Sequence, residues 1–235
     1  MHYNKEALLS LLEGFPFKDG DSFHEGYNDV IVNFIGTRFN DFSYDYGASK
    51  FVIIPKNTDY VIKIPYNCGY YYYSGSSSYG ETEDYVDFIN AEGTENGWDY
   101  CNVEVERFSL AKKEKLDKCL AETKLLGYVN DYPIYVQEKC ITLLDLKNKG
   151  VINPFNSKAK SKEEKSRTLQ VSGSINYHLD LEWLTSFRLY YGEHTLITFL
   201  NFLKKEKWDD LSSYNIGYLL SDNRPVLIDY SSYNE

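Results

Sequence analysis

The spacing of apolar residues changes along the chain, and each period predicts a different element. Residues 6–12 carry apolar side chains at helical spacing and are followed by Gly14 and Pro16, which end helices. This pattern predicts a short leading helix. The helical period returns over residues 183–203, where Gly192 interrupts it, and there it predicts two consecutive helices.

Strand-like patterns occupy residues 42–65. The runs 51–54 and 60–64 are rich in β-branched side chains, and residues 55–59 between them have the composition of a turn. The simplest interpretation is a pair of adjacent antiparallel strands. A further apolar run at residues 134–136 predicts another strand.

Three longer stretches connect these elements. Residues 67–98 combine a tyrosine run, a serine-rich run and an acidic run, a composition that predicts a mobile loop with one short helix. Residues 102–125 place apolar side chains on one face of a charged amphipathic helix. Residues 156–172 are rich in lysine and serine and are interpreted as a solvated loop.

The chain ends with a predicted β-hairpin, in which two apolar runs flank a polar turn. Centring the turn on Asp222 and Asn223 pairs Ile216 with Asp229. Asn215 then lies beside Asp229 at the open end of the hairpin. The pattern therefore predicts that an amide and a carboxylate meet where the two strands end.

Oxygen-bearing side chains collect at this open end. Asp210 precedes Asn215 by five positions, so we expect it to join Asn215 and Asp229 in one compact region. Hard oxygen ligands suit Mg²⁺, which completes its octahedron with water and substrate phosphates. The sequence thus indicates a Mg²⁺ site.

Composition and charge narrow the function classes. The 235 residues, 43% of them hydrophobic, can bury a sizeable core in two lobes or two small domains. A net charge of −10 argues against an extended nucleic-acid surface. No run reaches the ~20 apolar residues of a membrane span, and the four cysteines form no C-x-x-C pair. We expect a soluble, cytoplasmic protein without nucleic-acid or membrane partners, and the Tyr, Asn and Lys bias hints at a bacterial or phage source.

Two motifs at the end of the chain resemble those of protein kinases. Residues 210–215 (Asp-Leu-Ser-Ser-Tyr-Asn) resemble the catalytic loop D-L-x-x-x-N, and residues 228–231 (Ile-Asp-Tyr-Ser) resemble the metal-binding D-F-G. The number of residues between them is also similar to that in the family. The resemblance implies that Asp210 orients or deprotonates the acceptor hydroxyl and that Asn215 and Asp229 hold Mg²⁺.

Upstream residues resemble the parts of the same family that contact the nucleotide. Residues 60–63 (Tyr-Val-Ile-Lys) are similar to the V-A-I-K strand. Lys63 is therefore expected to contact the α- and β-phosphates of ATP and to pair with a glutamate from the following helix. Glu104 is the preferred candidate for that glutamate, and Glu106 is its rival.

Three further residues are implied in binding the cofactor ATP. Ser49 lies where the family has its glycine-rich loop, whose backbone N–H groups cover the phosphates. Glu138 and Cys140 lie where the hinge between the lobes would run. There the backbone could offer hydrogen bonds to adenine.

The resemblance implies an α+β, two-lobed, protein-kinase-like fold. Residues 1–138 would form an N-terminal extension and an antiparallel-sheet N-lobe, with the insertion at 67–98 and an αC-like helix at about 102–125. Residues 139–235 would form a reduced helical C-lobe that ends in the catalytic-loop β-hairpin. Asp209 replaces the usual arginine, Ser231 replaces the D-F-G glycine, and little chain follows for a peptide-binding groove.

The function implied by the resemblance is an ATP- and Mg²⁺-dependent phosphotransferase acting on an alcohol or protein hydroxyl. The alternative is a pseudokinase-like module that binds a nucleotide or a protein partner without transferring phosphate. The single glycine at residues 47–52 and the shortened C-lobe favour this alternative. A small-molecule acceptor would need acidic groups such as Asp180, Glu182 and Glu193.

Each site residue also has a purely structural interpretation. Lys63 could be the outward residue of an alternating strand. Asp210 could be a polar residue at a helix end, and Asn215 and Asp229 could be turn residues. Only the combination of the motifs favours the functional interpretation.

Overall fold

The computed structural model describes most of the chain. The described residues are 1–17, 25–46, 50–72, 82–88, 99–148, 157–173, 179–208 and 211–230. Two of the predicted site residues, Ser49 and Asp210, lie outside these ranges.

Contacts between Cα atoms divide the chain into two compact units. The first comprises Met1–Val103 and Thr123–Gln137, and the second comprises Glu104–Glu122 and Glu138–Glu235. The division expected after residue 138 lies beside one of these boundaries. The segment Glu104–Glu122 belongs to the second unit.

The first unit contains an antiparallel sheet. Its strands are β1 (Phe42–Tyr46), β2 (Lys50–Pro55), β3 (Tyr60–Tyr72), β4 (Thr82–Phe88), β5 (Thr123–Val129) and β6 (Tyr132–Glu138). Five strands follow the order β1-β2-β3-β6-β5, and β4 pairs with the second half of β3. The adjacent antiparallel strands predicted at 51–54 and 60–64 are confirmed as β2 and β3.

Helices cover one face of this sheet. The predicted leading helix is confirmed as α1 (Lys5–Leu11), which the Asn4 side chain caps by accepting a hydrogen bond from the Ala7 N–H at 3.1 Å. Helix α2 (Glu25–Gly36) follows. Their apolar side chains share a core with alternate residues of β2 and β3: Leu8, Leu12, Ile31, Ile35, Phe51, Ile53, Ile62 and Ile64.

The predicted helix at 102–125 is wrong in its second half. Helix α3 (Tyr100–Lys113) ends before a short 3₁₀ helix (Asp117–Cys119), and β5 begins at Thr123. Strands β5 and β6 form a hairpin whose turn residues Asn130 and Asp131 have φ values of 49° and 69°. Such positive angles are typical of a type I′ turn, which Asn and Asp tolerate.

The mobile loop with a short helix predicted at 67–98 is wrong where the chain is described. Residues 66–72 continue β3 and pair with β4 in an antiparallel register. Tyrosine and valine favour extended structure, and pairing satisfies the backbone of both segments. The remaining residues of that prediction lie outside the described ranges.

The second unit is mainly helical. After α3 and β7 (Cys140–Thr142), its elements are α4 (Leu143–Asn148), a 3₁₀ helix (Ser157–Lys160), α5 (Lys162–Ser172), α6 (Leu181–Tyr191), α7 (Glu193–Lys205), β8 (Ile216–Leu219) and β9 (Pro225–Leu227). The antiparallel sheet has the order β7-β8-β9. Helices α6 and α7 confirm the two predicted helices, and Gly192 between them has a φ of 89°.

The solvated loop predicted at 156–172 is wrong, because residues 162–172 form α5. Ser161 caps this helix by accepting a hydrogen bond from the Glu164 N–H at 3.1 Å. Serine followed three residues later by glutamate is the capping-box pattern. The cap and the buried side chains of Thr168 and Ser172 outweigh the polar composition.

Aromatic residues fill the core of the second unit. Phe187 on α6 packs against Trp183 and Phe199, with ring centroids 5.3 Å and 4.7 Å apart. The described residues thus form an α+β fold. Among the helices of the described ranges, none combines the length and the apolar character needed to cross a membrane.

Candidate functional site

The predicted C-terminal hairpin is present, but its register differs from the prediction. Ile216 pairs with Leu227 rather than with Asp229. The chain turns earlier than expected, because the Leu219 N–H donates to the Arg224 carbonyl at 2.9 Å and Asn223 takes a φ of 62°. Asn223 tolerates this left-handed conformation, which lies within the turn.

Asn215 and Asp229 nevertheless lie side by side at the open end of this hairpin. The Asn215 carbonyl accepts hydrogen bonds from the Ile228 N–H at 2.7 Å and from the Asp229 N–H at 3.3 Å. Both residues are half-buried. The predicted adjacency is therefore confirmed despite the register error, since one carbonyl binds both peptide groups.

Main-chain hydrogen bonds also fix the loop that leads to Asn215. The Asn215 N–H donates to the Ser212 carbonyl at 3.0 Å, which closes a turn. The Ser213 carbonyl accepts from the Leu144 N–H of α4 at 3.0 Å. Asp210, just before this loop, lies outside the described residues.

Glycine at position 217 lets β8 approach its neighbour. A Cβ atom built there would lie 2.1 Å from the Ile141 carbonyl oxygen, a distance that no side chain can adopt. The indole N–H of Trp183 donates to the Gly217 carbonyl at 2.9 Å. Helix α6 and β7 thus hold the strand that begins immediately after Asn215.

Tyr230, the residue after Asp229, is also held by several contacts. Tyr230 is 1% exposed, and its hydroxyl donates to the Ala121 carbonyl at 2.7 Å. The Arg107 guanidinium of α3 donates to the Tyr230 carbonyl and lies 5.0 Å from the centroid of the Trp208 ring. The Trp208 and Tyr230 rings stack with centroids 5.9 Å apart.

Two further predicted site residues are buried charges, one in each unit. Lys63 on β3 pairs with Val52 of β2 and is 3% exposed, so it is not an outward, solvated strand residue. Glu104 on α3 is fully buried, whereas Glu106 is exposed. Buried charges are costly unless they are paired, which favours Glu104 over Glu106 for an electrostatic role.

The side chain and backbone of Glu138 take part in hydrogen bonds within the second unit. Its N–H donates to the Glu122 carbonyl at 3.1 Å. Its carboxylate accepts from the Glu122 N–H at 3.0 Å and from the Arg224 guanidinium at 3.3 Å. These bonds assign Glu138 a structural role, whatever else it does.

Cys140 lies on β7 opposite Leu219. The Leu220 N–H donates to the Lys139 carbonyl at 3.1 Å, so residues 139 and 220 form a hydrogen-bonded pair. Because such pairs alternate along an antiparallel ladder, the peptide groups of Cys140 point away from β8. They face the outer edge of the three-stranded sheet.

The chemistry available at the open end of the hairpin suits a hard cation. Asn215 can supply an amide oxygen and Asp229 a carboxylate, and water and phosphates can complete an octahedron around Mg²⁺. No group of three or more His, Cys, Asp or Glu side chains that could hold a metal occurs among the described residues. A Mg²⁺ ion held by Asn215 and Asp229 would therefore need phosphate, water or further ligands.

Two of the described cysteines are buried. Cys101, Cys119 and Cys140 are free thiols, and the first two are buried. Burial raises the pKa of the Cys119 thiol to about 12, so it stays protonated at neutral pH.

Sequence reasoning missed Arg107, Trp183, Gly217 and Tyr230 as residues that shape the site. The glycine was readable, because glycine within a strand pattern indicates a close backbone approach. The other three act through contacts that span many residues. The pair Arg107 and Tyr230, for example, is separated by 123 positions.

Comparisons of this chain with protein-family models, with curated proteins and with solved structures found no match.

Proposed function

We propose that this protein is an ATP- and Mg²⁺-dependent phosphotransferase of the protein-kinase-like type. The observation that carries the proposal is the adjacency of Asn215 and Asp229: the Asn215 carbonyl accepts hydrogen bonds from the Asp229 N–H at 3.3 Å and from the preceding Ile228 N–H at 2.7 Å. In protein kinases an Asn and an Asp hold the Mg²⁺ ions. Here the same two residue types meet at the end of a short hairpin.

Lys63 and Glu104 support the same proposal. Lys63 lies on the third strand, where kinases carry the lysine that contacts the phosphates, and Glu104 lies on the helix that follows the β3–β4 ribbon. Both charged side chains are buried. In the proposal Lys63 contacts the α- and β-phosphates, and Glu104 is the glutamate of the helix that follows.

The order of elements is also compatible with a two-lobed kinase-like fold. An antiparallel sheet bearing the lysine comes first, and helices and a terminal hairpin bearing Asn215 and Asp229 come last. In the proposal, the backbone at Glu138 and Cys140 would contact adenine, and Ser49 would contact the phosphates through its backbone.

Catalysis in this proposal depends on position and charge. Mg²⁺ bound by Asn215 and Asp229 would neutralise the phosphate oxygens, and Lys63 would hold the nucleotide in line. Asp210 would orient the acceptor hydroxyl or accept its proton. The acceptor is a small alcohol or a protein hydroxyl.

A nucleotide-binding module without phosphate transfer is the second candidate. Asp209 in place of the catalytic-loop arginine, Ser231 in place of the D-F-G glycine and the single glycine near Ser49 favour it. These changes affect catalysis and loop closure more than metal binding. The two candidates therefore share Mg·ATP binding and differ only in turnover.

Thermal unfolding with and without Mg·ATP tests the shared part. Mg·ATP at about 100 times its Kd should add about 2.7 kcal/mol of apparent stability. Asp229→Asn and Lys63→Met should each remove most of this gain. The matched controls are Asp222→Asn, in the turn of the same hairpin, and Lys56→Met, in the turn between β2 and β3.

Transfer of labelled γ-phosphate tests the catalytic part. A phosphotransferase should label itself, lysate proteins or small alcohols, and the Asp229→Asn variant should not. Binding that depends on Asp229 without any transfer would support the second candidate. If wild-type protein gains no stability from Mg·ATP, both candidates fail.

A further inference from the structure

Hydrogen bonds hold the main chain on both sides of Asp229. On its N-terminal side, the Ile228 N–H donates to the Asn215 carbonyl at 2.7 Å, and Asp229 itself donates to the same oxygen at 3.3 Å. On its C-terminal side, the Tyr230 carbonyl accepts a hydrogen bond from Arg107. The main chain that carries the carboxylate is therefore fixed in both directions.

The Arg107 side chain is placed for this contact by its surroundings. It is 9% exposed, and its guanidinium lies over the Trp208 ring, 5.0 Å from the centroid. A cation over an aromatic face is attracted by the ring quadrupole, and burial strengthens that attraction. Trp208 in turn stacks on the Tyr230 ring. Arg107 therefore contacts both Tyr230 and the aromatic residue that packs against it.

The contact with a carbonyl distinguishes Arg107 from a residue that only fills the core. Tyr230 already has a buried ring and a hydroxyl bond to Ala121 at 2.7 Å, which fix its side chain. The bond from Arg107 goes instead to the main-chain carbonyl of Tyr230, the residue that follows Asp229. With the side-chain contacts of Tyr230, it holds the main chain of the residue that follows Asp229.

We propose that Arg107 is a positioning residue that holds Asp229 in the orientation needed to bind the metal of a metal–nucleotide complex. This inference rests on the proposed function and adds a residue to it. Groups that orient metal ligands typically change metal affinity by about 10–100-fold when they are removed. Arg107 should therefore affect the metal complex and not the nucleotide alone.

The test compares Arg107→Met with a matched control, Arg188→Met. Arg188 is also buried, at 6% exposure, and belongs to the same unit, but its partners are Thr168, Glu164 and Glu193 on α5 and α7. Both variants lose a buried guanidinium while keeping a long apolar side chain. Arg107→Lys serves as the conservative variant, since a lysine can still donate one hydrogen bond to the carbonyl.

Two measurements are made on each full-length variant. The hydrogen-exchange rates of the Ile228 and Asp229 amides show how firmly this segment is held in the absence of ligand. A titration with Mn²⁺ and a non-hydrolysable ATP analogue measures the affinity for the metal–nucleotide complex. The titration is followed by the electron paramagnetic resonance signal of free Mn²⁺. A titration with the same analogue in the absence of metal measures the affinity for the nucleotide alone.

Arg107→Met should exchange these two amides at least about tenfold faster and bind the Mn²⁺–analogue complex about tenfold more weakly. Its affinity for the metal-free analogue should stay within about twofold of wild type. Arg107→Lys should recover part of both losses, and Arg188→Met should show neither change even if its melting temperature falls.

The inference is overturned if Arg107→Met leaves the two amides as protected as in wild type. It is also overturned if the affinity for the metal complex is unchanged, or if Arg188→Met weakens it equally. Failure of the proposed function has a different signature: wild type and Asp229→Asn would then bind the Mn²⁺–analogue complex equally poorly. In that case the amide exchange alone decides whether Arg107 anchors the segment.

Discussion

Two neighbouring parts of the second unit are held together in different ways. In the β7–β8–β9 sheet, peptide groups bond to peptide groups, and Gly217 allows the strands to approach closely. In the cluster of α5, α6 and α7, a buried side chain makes the connections. The Arg188 guanidinium donates to the Thr168 hydroxyl at 2.9 Å and also contacts Glu164 and Glu193.

The difference teaches where to expect function. Hydrogen bonds between peptide groups fix the main chain at Asn215 and Asp229. The side chains of these two residues are not needed for that. In the helical cluster the buried Arg188 side chain adds polar connections to the aromatic packing. Substitutions in the sheet, or of Trp183, whose indole bonds to the sheet, should therefore affect stability and nucleotide binding together. Substitutions of side chains that connect only α5, α6 and α7 should affect stability alone.

The largest expected effect is that of Gly217→Ala. The added Cβ would lie 2.1 Å from the Ile141 carbonyl and 2.9 Å from the Thr142 Cα, so β7 and β8 must separate. We expect a loss of at least about 4 kcal/mol in the free energy of unfolding, measured by urea denaturation. Gly36→Ala is the control, because its Cβ would meet only a ring carbon at 3.9 Å. Equal stability of the two variants would refute the close approach.

Trp183→Phe should have the next largest effect. It removes the N–H that donates to the Gly217 carbonyl at 2.9 Å, and it leaves a void in a fully buried position. The combined loss should be about 2–3 kcal/mol in urea denaturation, with weaker binding of Mg·ATP as well. Phe187→Leu removes a ring from the same core without breaking a hydrogen bond and should leave nucleotide binding intact. If both variants bind Mg·ATP as wild type does, the link between α6 and the site is wrong.

Arg188→Met should cost less, about 2 kcal/mol. Breaking a fully buried ion pair can cost more, but Glu164 is 30% exposed and can be rehydrated after the change. Binding of Mg·ATP, corrected for the change in stability, should be unchanged. A loss of nucleotide affinity as large as that of Trp183→Phe would remove the distinction between the two regions.

The smallest expected effect is that of Asp180→Asn at the start of α6. Burial alone would raise the pKa of the Asp180 carboxyl, but hydrogen bonds from Lys147 and from the Trp183 and Glu182 N–H groups together lower it below 3.8. Asparagine can still cap the helix, so the substitution removes the charge alone. We expect a loss of about 0.5–1 kcal/mol at pH 7.

The sign of the pH dependence follows from the lowered pKa. A carboxyl that is more acidic in the folded protein stabilises it above pH 3.8, and this contribution is lost as the pH falls through the folded pKa. The difference between wild type and Asp180→Asn should therefore shrink in denaturation curves recorded at progressively lower pH. Asp145→Asn, at an exposed position on α4, serves as the control. It should change the free energy of unfolding by less than about 0.5 kcal/mol at pH 7 and at the lower pH values.

Local patterns in the sequence were sufficient for the elements whose signals are local. The helical period on either side of Gly192 and the turn between β2 and β3 led directly to four observed elements. The helix α5 and the β5–β6 hairpin were missed, although a capping box at Ser161 and the turn residues Asn130 and Asp131 mark them. At α5 the lysine- and serine-rich composition favoured a loop, and at β5 the helical period of α3 was extended to residue 125.

The site was predictable only in part. The adjacency of Asn215 and Asp229 was found with the wrong register, because residues near a hairpin end stay close when the pairing shifts by two. The bond between Arg107 and Tyr230 was not predictable, since it joins residues 123 positions apart through tertiary packing. The entropy of closing a loop grows only slowly with its length, so many distant pairs of residues can form contacts at similar cost. The sequence alone therefore does not tell which pair is in contact in the folded chain.

The turn before Asn215 bears on how this protein can evolve. Its ties run through the carbonyls of Ser212 and Ser213, which bond to the N–H groups of Asn215 and Leu144. A peptide carbonyl is the same in nearly every amino acid, so the side chains at 212, 213 and 214 can be exchanged over generations without moving Asn215. Tyr214, 65% exposed, is thus a position where descendants of this chain could alter what they recognise while keeping what they bind.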